Sequence, residues 1–266
     1  MLLPELHDII IIRNVIWKNN LKNLVAYITT GYPEKSFTID LALALGESGV
    51  DTLELGVPFS DPVADGPLIE KANHKALDLG FKFSHLLEVS REVAPKVDTL
   101  WMGYFNSFFQ QDLRKLIPLA HEIGVSGLII PDVPHEEGLL YKGLFDANSV
   151  ANISFVAPTD SEERIKEVVT QAKKFIYMVA YTGITGSGVA EDLQSYLEFI
   201  KKYTDTPVNV GFGVNAKTAK EKVKGADGVI VGSAFVDILL KDELTYGEKI
   251  AQCSELAKVI KSEINS

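Results

Sequence analysis

Hydrophobic residues along this chain fall into short runs, separated by longer stretches in which apolar positions recur every three or four residues. The short runs are Leu24–Thr29, Thr52–Val57, Thr99–Tyr104, Gly127–Ile130, Ile153–Ala157, Phe175–Ala180, Val208–Gly211 and Gly228–Val231. Each has the length of a strand. Many are apolar almost throughout, as expected of strands covered on both faces. Phe37–Ser48 carries helical spacing, with Leu41, Ala42, Leu45 and Gly46 on one face. Asp112–Ile123 does the same with Leu113, Leu116, Ile117 and Ala120, and Ser161–Lys173 and Asp192–Lys202 are read as further helices. Ile9–Ile12, bounded by Asp8 and Arg13, is too short to cross a bilayer and is read as part of a packing helix at the N-terminus.

Eight strands alternating with helices imply parallel pairing through right-handed crossovers. An open doubly wound sheet and a closed barrel both meet that requirement. The strand count and the 266 residues favour the barrel, which typically needs about 250 residues. No linker rich in Pro, Gly or Ser interrupts the pattern. Residues 1–266 are therefore expected to form a single α/β domain, a (β/α)8 TIM barrel with an extra N-terminal helix.

Charge and cysteine usage narrow the function classes. A net charge of −10 gives no overall field to attract nucleic acid or an anionic membrane, so an anionic ligand would need local groups to hold it. The single cysteine, Cys253, excludes a disulfide framework within the chain and fits a reducing, cytoplasmic setting. His7, His74, His85, His121 and His135 show no metal spacing, so no metal site is expected. Trp17 and Trp101 are read as packing groups, and the basic pairs Lys173-Lys174 and Lys201-Lys202 as solvated helix ends.

The most informative position is Glu54, inside the second strand between Leu53 and Leu55. Alternation puts Glu54 on the face opposite both leucines. If the leucines pack outward against helices, the carboxyl points into the barrel. Burial would raise its pKa and make it an acid usable near neutral pH. Without its flanking sequence, a pairing with lysine or a backbone-capping role would explain Glu54 equally well. The loop that follows, Pro58 to Pro67, holds three prolines and Gly66, and it carries Asp65 eleven positions after Glu54. An Asp before Gly is on its own a turn former. Three glycine-bearing turns follow the last three strands: Tyr181–Gly188, Gly211–Val214 and Gly232–Ala234. None is specific alone. In a barrel, however, the loops after strands seven and eight form a recurring phosphate site, and a short helix, Ala234–Leu239, begins beside Ser233.

The run Leu53-Glu54-Leu55-Gly56-Val57-Pro58-Phe59-Ser60-Asp61-Pro62-Val63-Ala64-Asp65-Gly66-Pro67 resembles the signature segment of the tryptophan synthase alpha chain family. Ala26–Pro33, Met102–Asn106, Ile130–Pro134 and Ala157–Thr159 resemble other blocks of that family, so the likeness spans most of the chain. It implies a retro-aldol lyase that splits indole-3-glycerol phosphate into indole and glyceraldehyde 3-phosphate. Carried over by position, Glu54 is the acid/base and Asp65 binds the indole nitrogen. Gly186, Gly213, Gly232 and Ser233 hold the phosphate. Tyr177 matches a tyrosine lining the family's site, although core packing would explain it equally well. Tyr27, Tyr104 and Phe212 are expected to wall the indole pocket, and Thr185 lies in a loop that would close over substrate. The likeness also implies a beta chain partner in an alpha2-beta2 complex, docked near Pro58–Asp61, Asn106 and Pro134. Pyridoxal phosphate would sit in that partner only, and no cofactor is expected in this chain. Tyr181 replaces a basic residue common in the family, and Gly103, Phe105 and Ser107 make the third-strand segment atypical.

Three other readings keep part of this chemistry. They are a stand-alone lyase that releases indole, another phosphate-binding barrel such as a sugar-phosphate isomerase, and a non-catalytic subunit that gates a partner.

Overall fold

The computed structural model describes residues 21–179, 189–211 and 213–266. The Ile9–Ile12 segment and Trp17 lie outside the described residues. Nine strand segments run parallel: β1 (Asn23–Thr29), β2 (Thr52–Gly56), β3 (Asp98–Met102), β4 (Gly127–Ile129), β5 (Ala151–Asn152), β6 (Ser154–Val156), β7 (Ile176–Val179), β8 (Val208–Gly211) and β9 (Gly228–Val231). Around them lie α1 (Lys35–Glu47), α2 (Pro67–Asp78), α3 (Phe83–Val93), α4 (Phe105–Phe109), α5 (Leu113–Ile123), α6 (His135–Leu139), α7 (Lys142–Ala147), α8 (Glu162–Gln171), α9 (Val189–Lys201), α10 (Ala219–Lys222), α11 (Ser233–Leu239) and α12 (Tyr246–Ile264).

The sheet order is β5-β4-β3-β2-β1-β9-β8-β7-β6. Its two ends, β5 and β6, are separated in the chain only by Ile153, so the sheet returns to its start and closes. The expected eight staves are present, with the fifth divided. Ala151–Asn152 pairs with β4, while Ser154–Val156 pairs with β7. Staves of a barrel are staggered, so one at the seam meets its two neighbours at different heights. Alternation survives the division: Ala151, Ile153 and Phe155 join the interior cluster of Val25, Leu100, Ile129, Phe175 and Ile230.

The outward residues make a second, larger core. Leu24, Ala26 and Ile28 of β1 and Leu53 and Leu55 of β2 pack with Leu41 and Leu45 of α1. That face of α1 is the one its spacing predicts. Helix α5 begins one residue after Asp112, whose carboxylate accepts the Arg114 N–H at 3.2 Å, and ends at Gly124 with φ 94°. This is the cap chemistry that its boundary residues favour.

One basic residue departs from the sequence reading. Lys174 is not a solvated helix end. With φ 63° it turns inward, and its Nζ meets Asp98 Oδ2 at 2.6 Å. Asp98 also accepts from Thr52 Oγ1 at 2.9 Å and Ser126 Oγ at 2.7 Å. These polar groups cluster at the N-terminal end of the barrel, opposite the end where the Pro58–Pro67 loop lies. A carboxylate there would be costly without a cation, and Asp98 supplies the reason for Lys174 to bury its charge.

Candidate active site

Register fixes where Glu54 points. Tyr27, Glu54 and Leu100 are neighbours across β1, β2 and β3. Leu53 and Leu55 lie in the outer core, so Glu54 faces the interior, only 2% exposed. Among the described residues no lysine pairs with it, and its Oε1 is buried without a hydrogen-bond partner. Burial, and then the charge of Asp65, push its pKa up to about 8. A carboxyl so placed holds a proton at neutral pH and is poised to give it up.

Asp65 comes from the loop above the C-terminal end of β2. Its N–H donates to Pro62 O at 3.1 Å, and Gly66 and Pro67 then start α2. Burial raises its pKa to about 6, while hydrogen bonds from Tyr104 and Asn73 pull it down. Tyr104 Oη also accepts the Ala64 N–H at 2.9 Å, which pins the loop to the end of the third stave. Phe59 stacks on Tyr104 with ring centroids 5.1 Å apart.

Two interior tyrosines rest on glycines of the next strand. A Cβ on Gly56 would lie 2.2 Å from the Tyr27 hydroxyl, and one on Gly211 would lie 2.4 Å from Tyr177 Cε1. Tyr177 is held on its other side by Phe155, with ring centroids 5.0 Å apart, so it has no room to retreat. We expect Gly211→Ala to cost about 1–3 kcal/mol through overpacking, read as a lower urea midpoint. An unchanged midpoint would mean that Tyr177 can move aside.

Gly213, Gly232 and Ser233, three of the four residues expected to hold phosphate, lie at the same end of the barrel. Gly213 follows β8 with φ 69°, and Gly232 and Ser233 follow β9 at the start of α11. The two key loops meet there: a Cβ on Gly66 would lie 4.0 Å from Ser233 Oγ, and one on Gly232 would lie 3.4 Å from Tyr27 Cβ. Tyr27 therefore sits between Asp65's loop and the Ser233 turn. Thr185, Gly186, Phe212 and Tyr181 lie outside the described residues.

These features can be set beside known proteins. The family model described as "Tryptophan synthase alpha chain" matches residues 14–265. This chain belongs to the tryptophan synthase alpha chain family. The alpha chain of Wolinella succinogenes is 53% identical over 248 residues, covering 93% of this chain and 97% of that protein. The alpha chain of Petrotoga mobilis is 37% identical over 251 residues, covering 92% and 97%. Among solved structures, tryptophan synthase subunit alpha from Campylobacter jejuni superposes with a TM-score of 0.81 at 34% identity, covering 88% of this chain and 95% of that one. Membership makes this chain a TIM-barrel lyase of tryptophan biosynthesis.

In this tryptophan synthase alpha chain the fold brings Glu54, Asp65, Tyr27, Tyr104 and Tyr177 within electrostatic reach of one another. The atypical Gly103 has a packing reason: a Cβ there would lie 3.0 Å from Val57 Cβ. The Phe105 ring packs tilted against Phe109 and Tyr141, with centroids 5.4 and 5.7 Å away. Two contributors were missed. Phe155 backs Tyr177, and Asn73 links Tyr27 to Asp65. Asn73 had a legible signal, since it interrupts the apolar face Ile69, Ala72 and Ala76 of α2. A cavity of about 370 Å³ opens near Phe155 and Val179, but neither Glu54 nor Asp65 lines it. Among the described residues no group of three His, Cys, Asp or Glu is arranged to hold a metal ion.

Proposed function

We propose that the whole chain, residues 1–266, works as one lyase domain in which Glu54 moves both protons of the alpha reaction. Protonated Glu54 gives its proton to indole C3 of indole-3-glycerol phosphate. Asp65 hydrogen-bonds the ring N–H and stabilises the positive charge that follows. The Glu54 carboxylate then takes the proton of the adjacent side-chain hydroxyl as the carbon–carbon bond breaks. Indole and glyceraldehyde 3-phosphate form, and Glu54 is again protonated. The observation that carries this reading is a buried carboxyl, paired with no lysine among the described residues, within reach of a second carboxyl whose pKa is raised less far. Each such effect is typically worth about 10²–10⁴-fold in rate.

Tyr27, Tyr104, Tyr177 and Phe212 wall the indole ring, and Thr185 belongs to the loop over it. Gly186, Gly213, Gly232 and Ser233 take the phosphate. Backbone N–H groups and a helix start suit an anion in a chain of net charge −10. The steps are acid/base throughout and need no cofactor of this chain. We assign pyridoxal phosphate to a beta chain, bound in an alpha2-beta2 complex through Pro58–Asp61, Asn106 and Pro134, and we place the complex in the cytoplasm. Among the described residues no helix is long and apolar enough to cross a membrane.

The deciding experiment is indole release by the purified chain, with and without a beta chain. No release from indole-3-glycerol phosphate in either case would end the proposal. Stimulation by the beta chain separates a complex from a stand-alone lyase. The pH profile adds a second check. Asp65 must be ionised, so kcat/KM should fall below about pH 6. Glu54 must start protonated, so kcat/KM should fall above about pH 8. A profile that keeps rising past pH 9 would contradict an acid role for Glu54.

A further inference from the structure

Asn73 is 1% exposed on the inner face of α2. A buried amide needs partners for both ends of its side chain. Its Nδ2 donates to Asp65 Oδ2 at 3.3 Å, and its Oδ1 accepts from the Tyr27 hydroxyl at 3.5 Å. Only one orientation of the amide serves both partners. An ionised carboxylate can only accept, so nitrogen faces Asp65, and the oxygen is left for a hydroxyl that donates.

Resting on the assignment of Asp65 to the charge that develops on the indole ring, we propose that Asn73 is a positioning residue for the alpha reaction, holding the Asp65 carboxylate in place and in its anionic form. The surroundings of Asp65 show why a fixed donor matters. Glu54 from β2 and Glu70 from α2 oppose its charge. Tyr27 of β1 and Tyr177 of β7 lie within its field. Among the described residues, Asn73 and Tyr104 are the two groups whose hydrogen bonds act in favour of the anion. The Tyr104 hydroxyl is shared with Ala64 of the same loop, whose N–H it accepts from the end of the third stave. Asn73 stands on a helix whose apolar face is packed, and it ties the loop to the barrel wall through Tyr27. The carboxylate thus keeps one orientation when the ring arrives.

The test is steady-state kinetics on the full chain across pH, using indole-3-glycerol phosphate. Asn73→Ala should lower kcat roughly 10-fold with KM little changed, and should move the acid limb of kcat/KM up by about one pH unit. Asn73→Ser, whose hydroxyl can donate, should recover part of both changes. Asn73→Asp is nearly isosteric, so it keeps the test open if the alanine variant fails to fold. It places a second carboxyl beside Asp65 and should move the acid limb further up. In the double variant Asn73→Ala with Asp65→Asn, activity should be no lower than in Asp65→Asn alone, because Asn73 acts through Asp65. An acid limb that stays put in both Asn73→Ala and Asn73→Asp, or a fully additive loss in the double variant, would overturn the proposal. If Asp65→Asn alone keeps full activity, the role of Asp65 falls first and takes this proposal with it, an outcome seen without touching Asn73.

Discussion

Glu54→Gln is expected to fold, to bind an indole–phosphate analogue as the parent does, and to lose cleavage by roughly 10²–10⁴-fold or more. The amide matches the carboxyl in shape but has no proton to deliver to C3 and no anion to receive one. On the proposed assignment ring contacts and phosphate contacts come from other residues, so affinity should survive. Stability gives an independent reading. Native Glu54 holds its proton up to about pH 8, whereas the unfolded chain releases it in the ordinary carboxyl range. The native state therefore binds the extra proton across that window, and the parent loses stability as pH rises through it. Glu54→Gln should lack that part of the decline. Denaturation midpoints at several pH values, beside the indole assay, would test both statements. A variant with substantial lyase activity removes Glu54 from the mechanism, whatever its stability.

The second large effect is expected from Asp65→Asn. An asparagine can still accept the ring N–H, but it brings no negative charge to meet the positive charge formed when C3 is protonated. Loss of such a preorganised charge is typically worth about 10²–10³-fold in kcat. Phosphate affinity should hardly change, because Gly213, Gly232 and Ser233 stand on other staves. The pH profile should also shift. Asp65 is one of the two causes that raise the pKa of Glu54. Without its charge, Glu54 ionises more easily, and the alkaline limb should move to lower pH. A profile unmoved on the alkaline side would show that the two carboxyls do not sense one another.

Much of this was legible in the chain. The strand at Leu53–Leu55 shows why: period-two alternation is a local property, and two leucines on one face oblige the residue between them to take the other. The same holds for α1 and α5, whose buried faces follow from three- and four-residue spacing. The division of the fifth stave was not legible. The run read as the fifth strand, Ile153–Ala157, leaves out Ala151–Asn152, and only barrel stagger decides that those two residues pair with β4 while Ser154–Val156 pairs with β7. Gly56 and Gly211 fall in runs read simply as strands, yet each makes room for a tyrosine.

By itself, then, the sequence determined the alternation of strands and helices, the placing of Glu54 on the face opposite Leu53 and Leu55, and the placing of Asp65's loop directly after that strand. Tertiary structure decided the partners. Asn73 meets Tyr27 across 46 positions, and Lys174 meets Asp98 across 76. No local pattern encodes such pairs, because they exist only once closure sets the stagger of the staves. Burial then makes each polar group find a match among whatever that closure brings near.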